Sequence, residues 1–101
     1  MNDRTLIIQF LSLYQEQIPL DLQNLKNAVL AESAVEIASK AHHIKPTMEY
    51  VGAQSLREKL QQLEYAGKNG TESRSIQQLY VELEKEINTL LQEIEHYKLQ
   101  R

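Results

Sequence analysis

Ala41-His42-His43-Ile44-Lys45-Pro46-Thr47-Met48-Glu49-Tyr50-Val51-Gly52 is the stretch in which unusual residues interrupt an otherwise ordinary amphipathic helical pattern. Ala41, Ile44, Met48 and Val51 recur at helical spacing and predict a core-facing stripe. His42 and Lys45 stand three residues apart on the neighbouring rim, so a nucleophilic imidazole and a cation share one exposed edge. Pro46 falls in the turn after His42, where it has no amide hydrogen to give the His42 carbonyl and its ring favours a bend.

Outward from this stretch, the chain divides into helical segments. Leu6, Ile7, Phe10, Leu11, Leu13 and Tyr14 fall at steps of three and four, with Asp3 placed to cap them. Pro19 predicts an end or kink near Gln17 and a fresh start that carries Leu22, Leu25 and Val29 to about Ala31. Ser33 with Glu36 has capping-box spacing and opens the helix that bears His42, whose broad apolar face runs Val35, Ile37, Ala38, Ala41, Ile44, Met48 and Val51 before Gly52 ends it. Ser55 with Glu58 repeats the spacing ahead of Leu56, Leu60 and Leu63, a helix ending near Ala66. Gly67-Lys68-Asn69-Gly70 is a loop, with Thr71 or Ser73 available to cap the next helix. Ile76, Tyr80, Leu83, Ile87, Leu90, Ile94 and Tyr97 then mark one long helix from about Glu72 to Leu99.

Short connections between helices with one apolar stripe each predict an all-α fold, an antiparallel up-down-up-down four-helix bundle. The segment before Pro19 is expected as an additional N-terminal helical segment that extends or caps it. With 101 residues and 42% hydrophobic content there is material for one core and one domain, residues 1–101. The initial Met and the complete set of helices point to a free-standing protein. No Cys is present, so no disulfide or thiolate metal site forms, and a cytoplasmic location fits. Eleven Lys and Arg against fourteen Asp and Glu give a net charge of -3 and no electrostatic footprint for nucleic acid or an anionic membrane. The short apolar cluster near the N-terminus is too polar to span a bilayer.

The central stretch resembles the histidine-containing phosphotransfer (HPt) domains of multistep phosphorelays. Their motif is an Ala-His pair, an aliphatic residue two after the His, then a Lys, and a Gly ten after the His, which here are Ala41-His42, Ile44, Lys45 and Gly52. The family usually has Gly directly after the Lys, and this chain has Pro46. The resemblance implies that His42 accepts a phosphoryl group from a receiver-domain aspartate and passes it to another receiver, with Lys45 compensating phosphate charge. It implies receiver domains of a hybrid kinase or of response regulators as partners, a monomer, no cofactor of the chain's own, and magnesium carried by the receiver. Helical spacing around His42 makes Ala38, Ser39, Pro46 and Glu49 docking candidates. Pro46 either tilts His42 outward and leaves transfer intact, or narrows partner choice.

An exposed imidazole, with a reference pKa of about 6.5, keeps a lone pair for phosphorus at neutral pH. No glycine-rich loop opens a helix, so no ATP site is expected. His43 shares the polar face of Glu36, Lys40 and Thr47, and His96 sits beside Glu93 and Glu95 near the end of the last helix; both read as surface residues. Adjacent His side chains diverge by about 100°, which argues against a metal site at His42-His43. Lys45 is also placed to pair with Glu49. Three other readings compete: the His-bearing dimerisation hairpin of a sensor kinase, a coiled coil built on the last helix, and a protein that binds receivers without being phosphorylated.

Overall fold

The first departure from these expectations is at Pro19. In the computed structural model, which describes residues 3–100, Asp3–Leu30 is one unbroken helix, α1, with Pro19 inside it. Among the described residues there is no separate N-terminal segment. Pro19 is exposed, so the carbonyl its missing amide leaves free, that of Gln15, faces the solvent side. On the inner side Ile18, Leu22 and Leu25 continue the line of Leu11 and Tyr14, and a break would throw the two halves out of register with the same neighbour. Packing of one continuous stripe overrides the local cost of the proline. Asp3 lies within α1 rather than at its cap, and the cap position lies outside the described residues.

The remaining helices are α2 (Ala34–Tyr50), α3 (Gln54–Lys68) and α4 (Ser73–Leu99). Each packs on two others in a closed ring, α1 on α2, α2 on α3, α3 on α4 and α4 on α1. The Arg4 guanidinium lies 5.1 Å from the ring centre of Tyr97, which fixes the start of α1 beside the end of α4. The architecture is therefore the antiparallel four-helix bundle that the stripes predict.

Turn chemistry sets where α2 begins and ends. Ser33 Oγ accepts from the Glu36 amide at 3.4 Å, as the capping-box spacing requires. At the other end Gly52 takes φ +74°, and the Ala53 and Gly52 amides donate to the Met48 and Glu49 carbonyls at 2.8 and 3.1 Å, a Schellman closure. The second expected capping box does not form. Ser55 lies inside α3 and its hydroxyl donates to Glu86 of α4 at 3.2 Å, because Ala53 occupies the cap position. Neither Thr71 nor Ser73 caps α4, whose cap position is Glu72.

The core is the meeting of four stripes: Ile18 and Leu25 on α1, Ile37, Ala41, Ile44 and Met48 on α2, Leu60 and Leu63 on α3, Leu83 and Ile87 on α4. The stripe of α4 is spent inside the bundle and so gives no separate coiled-coil surface. Val35 leaves the expected face and is 78% exposed, since it stands two residues from Ile37 and so on the far side of the turn. α1 and α4, with 28 and 27 residues, outrun α2 and α3, with 17 and 15, and the molecule is 48 Å long.

α2 and α3 approach closely at Gly67, which is buried. A Cβ there would stand 2.8 Å from the Ala34 carbonyl oxygen, 3.0 Å from the Ala38 nitrogen and 3.2 Å from the Ala38 Cβ. The two nearest are backbone atoms that cannot swing aside. Gly67→Ala should lower stability by about 1–3 kcal/mol despite alanine's better helix propensity, read as a lower urea midpoint with unchanged slope.

Candidate functional site

His42 lies in the middle of α2, and because Ala38, Ala41 and Ile44 around it face inward, its own side chain emerges on the rim between α2 and α3, 68% exposed. α3 runs antiparallel along this rim and presents Gln61, Glu64 and Lys68, one helical turn apart, to the α2 side. Glu64 is the residue on which the cluster closes. Its carboxylate is nearly inaccessible, with 6% of the side chain exposed, yet it meets three partners. Lys45 Nζ is 2.7 Å from Oε1, Lys68 Nζ is 2.9 Å from Oε2, and His42 Nδ1 is 3.2 Å from Oε2.

Lys45 and Lys68 are not equivalent. Lys45 is 15% exposed and also donates to Gln61 Oε1 at 2.8 Å, so it is held between two acceptors beneath the rim. It is neither a solvated rim charge nor the partner of Glu49, which pairs instead with Arg57 of α3. Lys68 is 61% exposed and remains within reach of the surface beside His42. The Lys45 ammonium, with Lys68 and His42 adding to it, outweighs the desolvation of Glu64 and holds its carboxyl down at about 2, against an ordinary 4.5. Glu64 is thus ionised throughout the neutral range and accepts hydrogen bonds only. An imidazole whose Nδ1 faces it is steered to the tautomer that carries the proton on Nδ1, leaving the Nε2 lone pair outward.

A groove runs from His42 along the α2–α3 seam, past Ser39, Ala38 and Val35 on one side and Gly67 and Lys68 on the other. Of the docking candidates, Ser39 lines this groove exposed, while Ala38 is 8% exposed and forms its floor. Pro46 and Glu49 are exposed toward the opposite end of α2, outside the groove. α2 continues unbroken through Pro46, and the proline does not bury His42. His43 turns to the other side of α2, where its Nε2 is 3.7 Å from Oδ1 of the buried Asp21, itself held by Gln17 at 2.9 Å. His96 is exposed on α4, away from the cluster.

The spacing of the central stretch draws attention to His42 and Lys45 but gives no sign of Glu64, twenty-two residues after His42. A signal was present in α3 itself: Glu64 follows Leu60 by four residues and Leu63 by one, so it sits on the buried stripe where a carboxylate needs partners. Because the Glu64 carboxyl is depressed in the folded state, its contribution to stability is present above its unfolded value and is lost as pH falls from about 4.5 through about 2. Glu64→Gln should cost about 1–3 kcal/mol at pH 7 and flatten the fall in urea midpoint between pH 5 and pH 2.5 relative to the parent.

Compared with known families, the chain matches the Hpt domain over residues 9–97. No curated protein and no solved structure matches it. The matched span takes in α2 and α3 whole, most of α1 and α4, the His42 rim and Glu64, so the chain belongs to the Hpt domain family, whose members are histidine phosphotransfer intermediates of phosphorelays rather than kinase domains and generally interact with receiver domains.

Proposed function

We propose that His42 is the phosphoryl-accepting residue of this Hpt domain, taking the group from the aspartyl phosphate of one receiver domain and handing it to the aspartate of another. The observation that carries this reading is the bond from His42 Nδ1 to the buried, ionised Glu64 at 3.2 Å, which supports Nε2 as an outward nucleophile. In the step, the Nε2 lone pair attacks phosphorus, an N–P bond forms, and the P–O bond to the receiver's carboxylate breaks with its electron pair leaving on the carboxylate. The Nδ1 proton stays shared with Glu64, whose charge balances the cationic ring as it forms. The acyl phosphate is already activated, so position and charge compensation are what this chain supplies.

Both lysines serve that compensation from different places. Lys45 fixes Glu64 and adds positive charge from beneath the rim, and Lys68 is the exposed cation that can turn from Glu64 to the phosphoryl oxygens. The receiver docks over the rim, with Ser39 and the floor at Ala38 on one side of His42 and Pro46 and Glu49 on the other. Pro46 leaves His42 exposed, which favours transfer through this face over its obstruction. The chain carries no cofactor of its own in this reading, and the receiver brings the magnesium ion. Partners of this kind work in the cytoplasm. Among the described residues no helix is long and apolar enough to cross a membrane.

His43 is the alternative acceptor, but its Nε2 is turned toward Asp21 and it stands outside the lysine cluster. Phosphoryl transfer from a panel of phosphorylated receiver domains, run beside His42→Gln and His43→Gln, separates the two. Acid-labile label should appear on the parent and on His43→Gln and be absent from His42→Gln. Measurable receiver binding with no acid-labile label from any receiver would leave a docking protein with the fold but without the transfer.

A further inference from the structure

The bundle has four helices along only part of its length. α2 runs antiparallel to α1 and His43 meets Asp21, so Tyr50, seven residues beyond His43, comes level with Tyr14, seven before Asp21. Below that level α1 continues for eleven residues, Asp3 to Leu13, packed on α4 through Arg4 and, among the described residues, past the end of α2. Leu6, Phe10 and Leu13 lie there, 45, 51 and 60% exposed, and Leu20 continues their line at 61%. Asp21, which meets His43 of α2, is the next residue round the helix from Leu20 of this stripe, whereas Arg4 and Gln15, which meet α4, are on the other side of the helix.

The stripe has the steps of a pairing seam, four, three, four and three from Leu6 through Phe10, Leu13 and Gln17 to Leu20. No charged residue occurs from Thr5 to Gln15 in a chain in which 25% of residues are charged. Two such helices laid antiparallel about a twofold axis place Phe10 of each against Leu13 of the other, and Leu6 against the stem of Gln17. The flanking positions then bring Ile7 against Tyr14 on one edge, and the Gln9 amide against the Glu16 carboxylate on the other. No like charges meet. The layers from Leu6 to Gln17 match themselves under the twofold axis, and the outermost layer sets Leu20 against Asp3 of the other copy.

We infer that this exposed seam of α1 pairs with the same seam of a second copy, giving a reversible twofold dimer in place of the expected monomer. The exposed fractions of Leu6, Ile7, Phe10 and Leu13 amount to on the order of 400 Å² per protomer, about 800 Å² for the pair, in the range of weak, transient interfaces. His42 is level with about Asp21, so it stands about 16 Å along the axis from Phe10 and remains open to a receiver in both copies.

Sedimentation velocity over about 10 µM to 1 mM tests this, the range in which an interface of that size dissociates. The weight-average mass of the full chain should rise toward twice the monomer. Phe10→Lys and Leu13→Glu, both at exposed positions and checked for unchanged helicity by circular dichroism, should each remain monomeric at the highest concentration. Mixed in equal amounts, they should regain a dimer, because one of the two layers then pairs Lys with Glu and the other is native. A parent that is monomeric over the whole range overturns the inference, as does a mixture no more associated than its components. Loss of receiver binding in both variants with a monomeric parent would assign the seam to the receiver instead.

Discussion

A single buried carboxylate organises the chemistry of this molecule. Removing Glu64 from water costs free energy that is recovered only because Lys45, Lys68 and His42 converge on it. That convergence couples three things that would otherwise be independent: the ionisation of Glu64, the tautomer of His42 and the placement of two cations. His42 sits on an exposed helix rim, where a free imidazole would rotate and exchange protons at random. Glu64 lends it a fixed orientation from below while leaving the outward nitrogen in solvent.

The frame that makes this arrangement possible is a close approach of two short helices. Gly67 lets the α3 backbone settle against Ala34 and Ala38 of α2, one turn from Glu64 and next to Lys68. The two long helices serve another purpose. They run on past the ends of α2 and α3, and α1 stays unbroken through Pro19 because a continuous inner stripe holds it against α4 and α2. Both prolines occupy exposed positions, where the carbonyl each leaves unpaired faces the solvent side.

Local rules read well wherever neighbours in sequence are neighbours in space. The apolar stripes of α2, α3 and α4, the Ser33 cap and the left-handed Gly52 all follow from residues within one or two turns, and the structure places them as expected. The rules misled where a distant partner outweighed a local preference. Pro19 signals a break that tertiary packing suppresses. Ser55 has the spacing of a cap, but Ala53 takes that position and the hydroxyl turns to Glu86 on α4. Val35 counts as apolar in the stripe, yet its place on the turn sends it to the surface.

The helices and their antiparallel order are legible in the chain alone, because helical periodicity is a property of one segment. The chain alone could not show that Lys45 turns inward to Glu64 rather than to the nearer Glu49, or that the two histidines face different carboxylates, Glu64 on α3 and Asp21 on α1. Those partners lie on other helices. Their meeting depends on the axial register and separation of packed helices, which the small residues at Gly67, Ala34 and Ala38 set only once the bundle has closed.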